Sequence, residues 1–288
     1  MFTRSLSLAL ALLMLAGGAS RADAADAAEV VAAERAFARD GLAMGVKRSF
    51  LKWSAPDAIV FDPDPVKAHA VYGAAPDSDP TKPATPLKWW PRWAGVAQSG
   101  DLGFTTGAVE RGDQRTGHYF TIWKKQADGS WKWIYDGGAQ VPSKDEPGPE
   151  AEPGYLPVSA AAPIPPEAAM EQVKAAEAAL AARARADARA ALLKALATDS
   201  RVHQPPLPPA TTAAARVQAL GARPTVIGFK HFGGAASKAG DLAWTYGSAD
   251  LEQEGSPRAG YYVRVWQRRP EGWRLVFDQL TVKPPSAG

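Results

Sequence analysis

The chain has 288 residues, 46% of them hydrophobic and 22% charged; this is the composition of a folded protein, and the length suggests two domains. A net charge of +3, with no run of Lys or Arg forming a stripe, gives nucleic-acid binding no support. The absence of cysteine excludes disulfides, a thiol nucleophile, cysteine metal ligands and lipid attachment through cysteine.

Arg4, the apolar run 6–17 and the sequence Ala22-Asp23-Ala24 together have the pattern of a secretory signal peptide over residues 1–24. The run is too short to span a bilayer as a helix, so stable membrane insertion is not expected. The expected destination is the periplasm or the medium. After the signal, Val30, Ala33 and Phe37 fall at helical spacing within 28–45. Gly45 interrupts that helix and a second, 46–53, follows. A short strand over 58–61 ends at Pro63-Asp64-Pro65, and 73–86 reads as a loop.

From Leu87 onward the pattern is β. Segments 87–98, 102–110, 118–125 and 131–139 are rich in aromatic and β-branched residues and are separated by short turn sequences. Such short connections predict antiparallel neighbours. A proline-rich linker over 142–166 follows. Helix returns at 167–197, then a strand near Val202, a helix at 212–220 and four strands between Val226 and Val282. Helices first and a mostly antiparallel, curved sheet second is an α+β architecture, and it occurs twice.

The two halves are copies. Residues 99–107, SGDLGFTTG, recur as AGDLAWTYG at 239–247. Residues 50–63 match 192–205, and 118–136 match 261–278 with one deletion, in the same order. A period this long means duplicated domains, expected at 27–141 and 167–284, and not a solenoid.

The helix–helix–strand order, the Asp-Pro ending of the first strand, the GDLGFTTG phrase and the WKKQADGSWKW hairpin resemble SnoaL-like domains of the nuclear transport factor 2-like superfamily, in particular secreted ones of unknown function. The resemblance implies a pair of cones, each closed by helices around a pocket. Its members include ketosteroid isomerase, cyclases, dehydratases and non-catalytic binding or assembly modules, so the site and not the fold must decide function. It also implies that Asp62, before Pro63, stands where a general base would, and that Phe37 sits near the place of a helix tyrosine. Superfamily members often pair through their sheets, so an intrachain pseudo-dimer is expected.

Two readings fit Asp62: a base at a cavity mouth, or a turn residue before proline. Its counterpart Gln204 cannot act as a base, so chemistry, if present, belongs to the first copy. Tyr119 and His118 could hydrogen-bond a ligand, with Tyr261 in the slot of His118. Phe61, its counterpart His203, and Trp90 of the WWPRW cluster complete the expected ligand-binding set. Alternation puts Trp89, Pro91 and Trp93 on one strand face and Trp90 on the other. Asp101 and Asp241 read as turn residues. For Asp136 and Asp278 the periodicity does not decide between pocket and solvent. The four histidines lack metal-ligand spacing, and no cofactor fingerprint occurs. Three functions are therefore expected in turn: binding of a small apolar or aromatic ligand, metal-free acid–base isomerisation, cyclisation or dehydration, and a scaffold for assembly.

Overall fold

A computed structural model describes residues 19–76, 85–253 and 255–284. The apolar run of the expected signal peptide lies outside them. The first half begins with α1 (Ala19–Met44) and α2 (Val46–Trp53), separated at Gly45, whose φ of 84° breaks the helix. β1 (Ser54–Asp62), β2 (Asp64–Lys67) and α3 (Ala68–Ala74) follow. Then come β3 (Leu87–Val96), β4 (Leu102–Arg111), β5 (Gln114–Lys125) and β6 (Trp131–Ala139). The linker carries β7 (Gly154–Tyr155). The second half runs α4 (Pro166–Ala195), β8 (Leu196–His203), α5 (Ala213–Gly221), β9 (Ile227–Ala236), β10 (Leu242–Gln253), β11 (Ser256–Arg269) and β12 (Gly272–Val282). α4 is broken at Asp187, which leaves helical geometry.

The two sheets share one topology. The first is ordered β2-β1-β6-β5-β4-β3-β7 and the second β8-β12-β11-β10-β9. In both, the short strand after the helices lies parallel to the last long strand, and the long strands are antiparallel. Sequence patterning missed β2, α3 and β7, which are too short to show a period, and it placed the start of β1 at residue 58, four residues late.

A bulge between Pro91 and Trp93 corrects the expected facing of the tryptophans. Trp89 meets the helices, while the extra residue turns Trp93 toward the other sheet, where Arg201 lies 4.7 Å over its ring. Bulges of this kind bend a sheet, as a cone requires. Gly107 and Gly247 sit beside such irregularities in both copies. A Cβ there would fall 2.0 Å from the Trp90 carbonyl oxygen and 2.1 Å from that of Lys230.

The sheets face one another across a shared apolar core. Phe120 of β5 stacks on Phe277 of β12 at 3.7 Å and 5°, and Tyr135 approaches Trp244 at 6.0 Å. The repeated GDL phrases meet at the junction in reciprocal fashion. The Gln98 backbone N–H donates to Asp241 at 2.9 Å, and the Lys238 N–H donates to Asp101 at 3.2 Å. Contacts exchanged in this way are those of an isologous dimer, here made within one chain. The linker packs on both halves: Leu156 is buried, and β7 extends the β3 edge. No helix among the described residues is long and apolar enough to cross a membrane.

Because the core is common to both sheets, the halves are expected to unfold together. Phe277→Ala should cost about 3–5 kcal/mol in denaturant unfolding, the range for a fully buried aromatic, while the transition stays single. Two separate transitions in the unsubstituted chain would contradict a shared core.

Candidate functional site

Alternation along β5 divides its side chains between two environments. His118, Phe120 and Ile122 point at the second sheet; Tyr119, Thr121 and Trp123 point at α1 and α2. On the helix side lies a cavity of about 350 Å³. Phe37 from α1, Phe50 from α2, Leu87 and Trp89 from β3 and Val109 from β4 give it apolar walls. Tyr119 and Asp136 are the polar groups of the wall, and Arg111, Thr116 and Gln140 stand at its edge.

Beneath the wall α1 buries a carboxylate. Glu34 is fully buried and accepts from Trp89 Nε1 at 2.6 Å, Trp123 Nε1 at 3.0 Å and the Thr105 hydroxyl. Burial pushes its carboxyl up to about 7, although these donors oppose the rise. Asp136 accepts from the Thr121 hydroxyl at 2.6 Å and has no cation beside it. Burial, helped by the nearby charge of Glu34, pushes its carboxyl up to about 8. What remains accessible of Asp136 opens onto the cavity. Tyr119 is buried with its hydroxyl unpartnered, since the Thr105 hydroxyl beside it is directed at Glu34. Burial first, and then Glu34, hold the Tyr119 phenol well above its ordinary value, so it stays a neutral donor. The first half therefore has a protonatable carboxyl on the cavity wall and, near it, a buried phenol without a hydrogen-bond partner.

The second half fills the same place with an ion-pair network. Glu177 accepts from Thr245 at 2.7 Å and Trp266 Nε1 at 2.9 Å, repeating the helix carboxylate of the first half. Arg264, where the first half has Thr121, donates to Glu177 at 2.6 Å and to Asp278 at 2.7 Å. Arg223 adds a 2.6 Å bond to Asp278. Burial pushes Asp278 up, but the two guanidinium groups hold it below its usual range. The Tyr262 hydroxyl is unpartnered as well, yet Arg264 lies 4.0 Å over its ring.

The expected site residues separate accordingly. Tyr119, Phe37 and His118 are among the residues that line the cavity. Asp62 does not: it is exposed at the corner where β1 folds back on β2, paired in register with Asp64, and the wall carboxyl is Asp136 instead. The His118 ring faces the inter-sheet space, near Val141 O at 3.2 Å and Glu146 at 3.3 Å, with His203 at 5.5 Å. His203 bonds Gln279 at 3.1 Å in the same space. Phe61 packs on Tyr261 at 5.4 Å, and the Tyr261 hydroxyl donates to Asp64 across the halves. Trp90 donates to Pro147 O of the linker at 2.9 Å and stacks with Arg115. Residue types compatible with a ligand site thus serve the junction. Glu34 and Glu177 escaped notice because a helix glutamate reads as surface, although their spacing of 143 residues equals that of Tyr119 and Tyr262. Among the described residues no His, Asp or Glu cluster could hold a metal ion.

No protein-family model matches the chain, nor does any curated protein sequence. Among solved structures, the chain is similar to a ketosteroid isomerase-like protein from Erwinia carotovora atroseptica, with 16% identity and a TM-score of 0.35 over 40% of this chain and 96% of that one. It is similar to an NTF2-like protein with a cystatin-like fold from Novosphingobium aromaticivorans, with 17% identity and a TM-score of 0.33 over 42% and 86%. An NTF2-like protein of unknown function from Pseudomonas putida gives 12% identity and a TM-score of 0.35 over 42% and 91%.

Both raised carboxyls make stability fall as pH rises. The folded state keeps protons that the unfolded chain releases above its ordinary carboxylate range, so this stabilisation is complete at low pH and lost through about 7 and 8. Asp136→Asn should therefore raise the Tm by several degrees near pH 8.5 and change it little near pH 4. A gain independent of pH would refute the assignment. Arg264→Met leaves Glu177 and Asp278 buried without their cation and should cost about 3–5 kcal/mol by denaturant titration.

Proposed function

We propose that this chain is an exported protein whose first half binds a small, largely apolar or aromatic molecule bearing an oxygen acceptor, while its second half serves as a structural partner. The observation that carries this reading is the pairing of Asp136 and Tyr119 in an apolar cavity. A carboxyl protonated near neutral pH and a neutral phenol are both donors; the Tyr119 hydroxyl has no partner, and Asp136 has only the bond from Thr121. A ligand carbonyl or hydroxyl oxygen would satisfy them. The cavity is of a size for a molecule of one or two rings. Export rests on the signal pattern of residues 1–24.

A second reading is favoured by the same carboxyl. A group titrating near 8 can exchange protons close to physiological pH, and a neutral phenol beside it can stabilise an enolate. In this reading Asp136, and not Asp62, is the acid–base group of an isomerase-, cyclase- or dehydratase-like reaction without metal. The scaffold reading has less support: it gives no account of the open cavity beside Asp136.

A neutral aryl methyl ketone, 6-acetyl-2-naphthamide, serves as probe in isothermal titration. Tyr119→Phe should weaken its binding about tenfold, one lost hydrogen bond to a desolvated oxygen, and raise the stability of the free protein by about 1 kcal/mol. Absence of binding, or binding indifferent to both Tyr119→Phe and Asp136→Asn, would overturn the ligand-site reading. Deuterium exchange at the probe's methyl group, accelerated by the protein and abolished by Asp136→Asn, would establish the acid–base reading over simple binding.

A further inference from the structure

The edge of the cavity holds a cation that no described side chain bonds. Arg111 ends β4, paired in register with Leu87, and its exposed side chain reaches the edge of the cavity. It takes part in no hydrogen bond or ion pair among the described residues, in contrast to its neighbours on the same strand end. The adjacent carboxylate, Glu110, points to the opposite strand face and is bonded to Lys88 at 2.8 Å and to Arg115 at 3.4 Å. Asp113 in the following turn acts on Lys88. Among the described residues no acid bonds Arg111.

Arg111 lies four residues along β4 from Gly107, the register partner of Tyr119, so polar groups stand at two separated places in the pocket lining. Asp136 and Tyr119 stand in one part of the wall, and Phe37, Phe50 and Trp89 supply the apolar stretch. Arg111 is set at the edge. Resting on the ligand-site reading above, we propose that the ligand is an amphipathic anion: an aromatic or alicyclic carboxylate whose ring lies between the phenylalanines and Trp89, whose keto or hydroxyl oxygen meets Asp136 and Tyr119, and whose carboxylate is held by Arg111. Guanidinium suits this task, because its planar fork matches a carboxylate with two parallel hydrogen bonds. The arrangement also has an electrostatic logic. An anion seated deep in the cavity would lose its hydration without a cation to pair it, so the negative end belongs at the edge and the neutral oxygen inside. Arg111 would then be a specificity-determining residue, placed to choose acids over their neutral analogues.

Two isosteric probes separate the ideas in the full chain. 6-Acetyl-2-naphthoate should bind about tenfold more tightly than 6-acetyl-2-naphthamide by isothermal titration, a margin that shrinks as salt is raised. Arg111→Gln should abolish that preference, chiefly by weakening binding of the acid, since no described group bonds the side chain. Arg111→Lys should keep most of it. Equal binding of acid and amide, or a preference that survives Arg111→Gln, overturns this assignment and leaves the cavity reading standing. Failure of both probes to bind overturns the cavity reading itself, and this assignment with it.

Discussion

Each half of the molecule depends on a carboxylate buried under its sheet. Glu34 of α1 and Glu177 of α4 are both buried where the helix closes on the sheet. Their charge is met by the same pair of donors in both copies, a threonine hydroxyl and an indole N–H, from Thr105 and Trp123 in the first and Thr245 and Trp266 in the second. These bonds tie helix to strands at one fixed register, since a shift by one residue on either strand would turn donor into outward-facing side chain. They also explain the repeated phrase. Its glycines, Gly100 and Gly240, turn the chain at φ of 61° and 63°; its aspartates reach across to the other half; its threonines hold the helix carboxylate.

From this common base the halves diverge through one replacement. Where the first copy has Thr121, the second has Arg264. The guanidinium neutralises both the helix glutamate and the strand aspartate, and its bulk lies against Phe229 and Tyr262. That cone is occupied by the protein's own charge network. Threonine at the same place does neither: it gives one hydrogen bond to Asp136 and leaves the space open. Burying two carboxyls without a cation is costly, and it is tolerated by protonation. A purely structural solution was available to the sequence, since the second half uses it. Its absence from the first half is the strongest physical sign that the open cavity has a task of its own.

The fold was legible because long strands and long helices carry periods that survive in a single sequence, and because the duplication let each half check the other. The site was legible only in part. Tyr119 and Phe37 lie on elements whose inward face the repeat defines. Asp136 stood undecided because a bulge between Ile122 and Trp123 breaks the alternation that would have assigned its face. Asp62 was drawn to the cavity by the Asp-Pro phrase, but β2 folds β1 back at that point and carries the carboxylate outward. The role of Glu34 depends on Trp89 and Trp123, which are distant in sequence and meet only when the sheet closes on the helix.

Differences between copies are ambiguous evidence for chemistry, and the junction shows why. In a symmetric dimer one surface must complement itself, so a residue on the axis meets its own copy. Once two copies share a chain, the constraint relaxes to complementarity between two different surfaces. His118 and Tyr261 then diverge because one faces His203 and Glu146 while the other reaches Asp64. Phe61 and His203 diverge for the same reason, packing on Tyr261 and Phe277 respectively. Two of the positions that distinguish the halves therefore record adaptation of the junction. The position that bears on function is Thr121 against Arg264, a pair of ordinary strand residues. It acquires meaning only because each stands between a buried glutamate and a buried aspartate, and decides whether those acids are neutralised from within or left to meet something from outside.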